Sequence, residues 1–77
     1  MRNTLILMPK KALNRLKIVL VENGRTNKWL AHQLKKNETT ISRWCTNEMQ
    51  PSLTTLALIA KKLNVDIKDL LNHTKEK

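Results

Sequence analysis

Apolar residues recur at three- and four-residue steps along most of this chain, and that spacing restricts the fold to packed α-helices. The first run contains Leu13, Leu16 and Leu20. Residues at such steps share one face of a helix, which can be buried against neighbouring helices. The chain has two Trp and no Phe or Tyr, so its core has to be built from Leu, Ile, Val and Ala. We therefore predict an all-α domain.

Residues that begin and end helices divide the chain into five predicted helices. The first starts at Ala12 and ends at Gly24, the single glycine, which can adopt the left-handed conformation that closes a helix. The predicted N-caps of the later helices are Thr26, Asn37, Ser52 and Asp66, the last supported by Asp69. Residues 5–8 could be read as an isolated strand or as a frayed apolar start.

The last two helices have predicted apolar faces. In the fourth helix the buried residues are expected to be Leu53, Leu56, Ile59, Ala60 and Leu63. The short fifth helix is expected to run through Ile67, Leu70 and Leu71. These positions are taken up by a core, which argues against an amphipathic helix that lies on a membrane.

The charge balance predicts a polyanionic partner. The formal net charge is +9 in 77 residues, with an isoelectric point near 10.2. A surface this basic is typical of proteins that bind nucleic acid or an anionic membrane face, although excess charge can also serve solubility alone.

Two features favour a soluble, cytoplasmic protein. The apolar stretch near the start is only residues 5–8, whereas a secretory signal needs roughly 7–15 apolar residues and a membrane span about 20. Cys45 is the single cysteine, so no internal disulfide can form, which fits a reducing compartment.

The most informative stretch is residues 27–44. Two short helices are predicted there with only three or four residues between them, so they must cross steeply. Ala31 lies where the backbones approach, and a small residue is needed at that contact. The second of these helices carries Glu38, Thr39, Ser42 and Arg43 on its other faces. Such a mixture of donors and acceptors suits the base edges of the major groove.

These features resemble the Cro and phage-repressor (XRE) family of helix-turn-helix proteins. Residues 26–31 resemble the opening of the family's second helix, and residues 40–44 resemble the core of its recognition helix. Residues 51–53 and the later leucines fall where the family has its fourth and fifth helices. The resemblance covers nearly the whole chain.

The resemblance implies a fold, an activity and a partner. The fold is a five-helix lambda-repressor-like helix-turn-helix domain over residues 12–72, between an N-terminal extension (1–11) and a C-terminal tail (73–77). The activity is sequence-specific transcriptional regulation, with the third helix (about 38–46) in the major groove of double-stranded DNA. The expected assembly is a homodimer on an inverted repeat, and the candidate dimer elements are the segment before Pro9 and the loop at Met49.

The same resemblance implies which residues meet the DNA. The base-contacting residues are Glu38, Thr39, Ser42 and Arg43, and the phosphate-contacting residues are Asn27, Lys28, Lys35, Lys36, Thr40 and Thr46. Arg43 suits guanine and Glu38 suits cytosine. The alternative is that Glu38 and Arg43 are merely solvated.

Three departures from the family pattern carry predictions. Lys35 stands where the family has a glycine, and a left-handed lysine costs on the order of 1 kcal/mol, which two phosphate-facing lysines could offset. Asn47 also replaces a glycine and tolerates left-handed backbone well. Leu20 and Cys45 replace an arginine–glutamate pair, and we predict that they touch in the core.

Nothing in the sequence predicts catalysis, a cofactor or a small-molecule substrate. His32, His73 and Cys45 do not have metal-ligand spacing, and His32 is expected at the surface. Trp29 could cover residues 5–8, take part in a dimer contact or pack within the monomer. An antitoxin-type regulator, a protein-interaction module and non-specific compaction of nucleic acid stay open as alternative functions.

Overall fold

The computed structural model describes residues 12–73, which contain four short α-helices and one 3-10 helix. In order they are α1 (Leu16–Glu22), α2 (Asn27–Leu34), α3 (Glu38–Cys45), α4 (Leu53–Leu63) and the 3-10 helix Ile67–Leu70. The all-helical prediction is confirmed for these residues. The predicted fifth helix is the 3-10 turn, so five α-helices are not found there. The predicted extension, including residues 5–8, and all of the predicted tail except His73 lie outside the described residues.

Helices α2, α3 and α4 begin at the predicted caps. The side-chain oxygens of Thr26, Asn37 and Ser52 accept hydrogen bonds from the backbone N–H groups of Trp29 (3.0 Å), Thr40 (2.8 Å) and Thr55 (3.1 Å). Each oxygen satisfies a donor that the helix itself leaves without a partner, and such a cap typically contributes about 1 kcal/mol. Asp69 similarly accepts a hydrogen bond from the backbone N–H of Asp66, at 3.0 Å.

The first helix begins later than the sequence predicts. It starts at Leu16, with Arg15 as its N-cap residue, rather than at Ala12. Leu13 lies outside the helix and is 45% exposed, so its spacing from Leu16 does not reflect a shared buried face.

The segment that precedes α1 is extended because it pairs with the chain that follows the 3-10 helix. Asn14 and Leu71 form an isolated antiparallel bridge. The adjoining backbone hydrogen bonds run from Arg15 N to Leu70 O and from Asn72 N to Leu13 O, both at 2.9 Å. Long-range pairing therefore satisfies backbone groups that the predicted helix would have satisfied locally.

One buried cluster joins all five elements. Its members are Leu16, Val19, Leu20, Leu30, Ala31, Ile41, Trp44, Leu56, Ile59, Ala60, Leu63 and Leu70. One predicted core position and one predicted helix position are wrong. Leu53, the first residue of α4, is 69% exposed, because the buried face of α4 begins one turn later, at Leu56. Leu71 is outside the 3-10 helix and 38% exposed, since it belongs to the extended pairing segment.

A left-handed residue lies in the turn that follows each of the four α-helices. Gly24, Lys35, Asn47 and Asn64 have φ values of +66°, +57°, +64° and +58°. The predictions for Gly24, Lys35 and Asn47 are confirmed. At Lys35 the turn is tied back to α2 by the backbone N–H of Lys36, which donates to the carbonyl of Ala31 at 2.9 Å.

Asparagine side chains hold the segment before α1 against the loop after α3. Asn14 and Asn47 are only 3% and 9% exposed. The Asn47 amide oxygen accepts from the backbone N–H groups of Leu13 and Asn14, both at 3.0 Å, and its amide nitrogen donates to the Asn14 carbonyl at 3.1 Å. The Asn14 amide nitrogen in turn donates to the Trp44 carbonyl at 2.9 Å and to Gln50 Oε1 at 2.8 Å. We name these residues (Asn14, Asn47 and Gln50) the amide network.

Candidate nucleic-acid interface

The crossing of α2 and α3 gives the candidate interface its rigidity. The two helices are joined by residues 35–37 and pack mainly against each other. Ala31 is buried at the predicted crossing, and Ile41 and Trp44 of α3 lie in the core. Because one face of α3 is fixed in this way, the residues on its other face have defined positions on the surface.

All four predicted base-contacting residues are exposed on α3. They are Glu38, Thr39, Ser42 and Arg43. Together they present a carboxylate that accepts, two hydroxyls that donate or accept, and a guanidinium that only donates. Such a set can form hydrogen bonds to any of the base edges in a major groove. We name these four residues the reading face.

The loop after α3 folds back onto Arg43. The Arg43 carbonyl accepts from the backbone N–H groups of Glu48 (2.9 Å) and Met49 (3.2 Å) and from Thr46 Oγ1 (3.2 Å). The side chains meet as well: Arg43 Nε lies 3.7 Å from Glu48 Oε1, and one terminal nitrogen of Arg43 lies 4.0 Å from Met49 Sδ. Arg43 is therefore the member of the reading face with the most defined surroundings.

Five of the six predicted phosphate-contacting residues fall into two groups. Lys28, Lys35 and Lys36 are exposed on α2 and in the turn before α3, where their ammonium groups can meet a polyanion. Thr40 and Thr46 already donate their hydroxyl protons, to Asn37 Oδ1 at 3.0 Å and to the Arg43 carbonyl at 3.2 Å. Either threonine would have to exchange that hydrogen bond for one to a phosphate.

Asn27 links α1, α2 and α3. Its amide oxygen accepts from Lys17 Nζ at 3.4 Å and from Cys45 Sγ at 3.5 Å. With the oxygen taken up by these donors, the amide nitrogen of Asn27 is the group left to donate to an anion. Lys17 is the charged neighbour that the sequence analysis did not predict, and only the packing of α1 reveals it.

Burial controls the chemistry of Cys45. Desolvation raises the pKa of the thiol above its ordinary value, and the positive charge of Lys17 lowers it by a smaller amount. The protonated thiol can therefore donate to Asn27. Cys45 packs against the cluster that contains Leu20, while the predicted direct contact between Leu20 and Cys45 stays a prediction.

The remaining residues singled out from the sequence have ordinary surroundings. Trp29 is half-buried against the core, with the Arg25 guanidinium 4.4 Å from the centre of its ring, which is the predicted packing within the monomer. His32 is exposed, as predicted. Among residues 12–73, no group of three or more His, Cys, Asp or Glu side chains could hold a metal ion. Within the same range, every helix is too short or too polar to cross a membrane.

Glu48 and the amide network were not predicted as functional or structural groups. Glu48 is separated from Arg43 by a turn whose course depends on the left-handed Asn47. The bonds between Asn14 and Asn47 join residues 33 positions apart. No helical spacing or cap motif signals either feature.

Comparisons with known proteins agree with this geometry. A family model of the Cro/C1-type HTH DNA-binding domain matches residues 15–76. The chain is also similar to a crystal structure of a Bacteroides fragilis protein to which DNA binding is attributed. The two are 58% identical with a TM-score of 0.77, over 78% of this chain and 97% of the other. No curated protein matches the chain.

Proposed function

The chain belongs to the Cro/C1-type helix-turn-helix DNA-binding family, and from that premise we propose that it is a transcriptional regulator that reads duplex DNA with α3. The observation that carries the proposal is the arrangement of α3 itself. Ile41 and Trp44 fix one side of the helix in the core, while the reading face is open to solvent. A helix held in this way can enter a major groove without losing its packing.

Charge supports DNA as the ligand of this surface. The chain has a net charge of +9, and Lys28, Lys35 and Lys36 flank the crossing from which α3 projects. Contacts of lysine with phosphate supply affinity that does not depend on sequence, whereas the reading face would supply the preference for particular bases.

Within the reading face, Arg43 has the clearest expected role. Its guanidinium can donate two parallel hydrogen bonds to O6 and N7 of a guanine, which discriminates against other bases by about 1–3 kcal/mol. Glu38 would accept from cytosine, Thr39 would touch a thymine methyl, and Ser42 would make a secondary contribution. We propose a homodimer on an inverted repeat, with half-sites about 34 Å apart. The exposed Met49 is a candidate for the dimer contact.

The experiment is a selection from randomised duplex DNA at near-physiological salt, run with the wild type, Arg43→Ala and Lys62→Ala. Lys62 is an exposed residue in the last turn of α4, so its variant loses one charge from a helix other than α3. We expect a palindromic motif with the wild type and Lys62→Ala, and the loss of one defined base per half-site with Arg43→Ala.

Other outcomes would favour the alternative functions. Binding without any enriched motif, abolished by modest salt, would point to charge-driven compaction. An absence of DNA binding would point to a protein-interaction module. An enriched motif that Arg43→Ala leaves intact would contradict the role given to Arg43. Recognition of bases by α3 would then have to come from its other side chains.

A further inference from the structure

We infer that Glu48 is a positioning residue for Arg43, and that it trades overall DNA affinity for discrimination between bases. This inference deepens the proposed function and rests on it. It assigns a role to an acidic side chain beside a surface that is expected to bind a polyanion, where an acidic group would otherwise only weaken binding.

The backbone of Glu48 is fixed by two sets of hydrogen bonds. Its own N–H donates to the Arg43 carbonyl at 2.9 Å. The preceding residue, Asn47, is left-handed and is bonded through its side chain to Leu13 and Asn14. The Glu48 side chain therefore starts from a fixed point beside the end of α3.

The carboxylate of Glu48 lies beside the Nε edge of the Arg43 guanidinium. Glu48 Oε1 lies 3.7 Å from Nε of Arg43. A guanidinium has five N–H donors arranged around a plane, and recognition of guanine needs two that point in the same direction. A carboxylate on the Nε edge leaves the two terminal nitrogens for the base, and Met49 Sδ lies 4.0 Å from one of them.

A contribution to stability does not explain the pair. The side chains of Arg43 and Glu48 are 55% and 65% exposed, and ion pairs this exposed contribute little to folding. Their weak attraction instead biases the orientation of the unbound guanidinium before DNA arrives. Ordering a flexible side chain in advance lowers the entropic cost of the contact that it makes.

The same carboxylate opposes binding in general. A negative charge beside the reading face repels phosphates whatever the base sequence. Removal of the charge should therefore raise the affinity for arbitrary DNA, while loss of the oriented guanidinium should lower the preference for guanine. A group that acted only through its charge would change the affinity for all sequences by the same factor.

The test compares Glu48→Gln with Glu22→Gln in the full chain. Glu22 is a matched control, because its carboxylate lies 3.9 Å from Arg15 and its side chain is 61% exposed, but it is on α1 rather than beside α3. Dissociation constants are measured at one salt concentration for the selected site and for the same site with the Arg43-dependent guanine replaced. The urea midpoint of each variant checks that the fold is unchanged.

We expect Glu48→Gln to bind the substituted site more tightly and to lower the ratio between the two sites by a factor of roughly two to five. Glu22→Gln should leave the ratio unchanged. In an Arg43→Ala background, Glu48→Gln should no longer alter the ratio, because the residue that it positions has been removed.

The failures of the two proposals can be told apart. If Arg43→Ala lowers the ratio and Glu48→Gln does not, the positioning role is overturned and the proposed function stands. Equal ratios for Glu48→Gln and Glu22→Gln would also overturn it. A wild type without a preferred site would overturn both.

Discussion

Polar side chains lie in two contrasting settings around α3. In the amide network, both side-chain polar atoms of Asn14 and of Asn47 are hydrogen-bonded and the two residues are almost completely buried. On the reading face, Glu38, Thr39 and Ser42 are exposed to solvent. Polarity does not separate residues that build this domain from residues that are available to a ligand, whereas burial does.

The two settings should respond differently to substitution. Loss of a buried partner leaves donors and acceptors that water cannot reach, so the free energy of unfolding falls. Loss of an exposed side chain on the reading face leaves stability within about 0.5 kcal/mol of the wild type, and its effect appears only when DNA is present. Three predictions test this division, beginning with the one expected to have the largest effect.

Asn47→Ala should be strongly destabilising. It removes the hydrogen bonds to Leu13 and Asn14 and leaves a residue with a Cβ at φ +64°. Buried groups without partners cost about 1–3 kcal/mol each, so we expect the free energy of unfolding to fall by about 3 kcal/mol, measured by urea unfolding. Asn47→Gly, which suits the backbone but lacks the amide, should be less destabilising by roughly 1 kcal/mol. Wild-type stability in Asn47→Ala would show that the amide network does not hold the loop.

Lys35→Gly should change stability and binding in opposite directions. The left-handed backbone at φ +57° favours glycine, so the free energy of unfolding should rise by about 1 kcal/mol. If Lys35 contacts a phosphate, the plot of log affinity against log salt should become less steep by about 0.9.

Asn64→Gly is the control for that measurement, since Asn64 is left-handed at φ +58° at the end of α4 and carries no charge. A small gain in stability with unchanged binding is expected. An unchanged salt dependence in Lys35→Gly would place Lys35 outside the interface.

The smallest expected effect is a shift in the pKa of Cys45, whose burial is intermediate between that of the amide network and that of the reading face. Burial raises the pKa of its thiol in the folded protein. The contribution of the protonated thiol to the free energy of unfolding is therefore complete below the pKa of the unfolded thiol, and it is lost as the pH rises through the folded value.

Ultraviolet titration of the Cys45 thiolate should give a higher midpoint in the folded protein than in urea. Lys17→Gln should raise the midpoint of the folded protein further, because Lys17 lowers the pKa of Cys45. Lys28→Gln removes the same charge elsewhere and serves as the control. A folded midpoint below that of the unfolded chain would contradict the effect of burial.

The sequence predicted those features that depend on a few neighbouring residues. The caps at Thr26, Asn37 and Ser52 each join residues three apart. The left-handed Lys35 and Asn47 were expected because they stand where the resembling family has glycine. Such interactions can be inferred from short motifs, and so could the apolar face of α3 and the polar face opposite it.

Features that join distant residues could not be predicted in the same way. The extended segment before α1 has helical spacing at Leu13 and Leu16. Its pairing with residues 70–72 and its hydrogen bonds to Asn47 oppose a helix. The proximity of Lys17 to Asn27 and of Glu48 to Arg43 likewise depends on how elements pack and how a loop turns. Periodicity records which residues can share a face of one element, but it contains no information about contacts between elements.

The pairing of residues 12–15 with residues 70–72 also bears on how the domain could be rearranged. The Asn72 amide reaches the Ala12 carbonyl, at 3.2 Å, across 60 positions of the chain, so folding has to close a loop almost as long as the described domain. A short peptide that linked these neighbouring segments would make that closure permanent. The exposed turn at Gly24, where an added Cβ would meet nothing within 4 Å, could then be opened to give a circularly permuted domain with the same core.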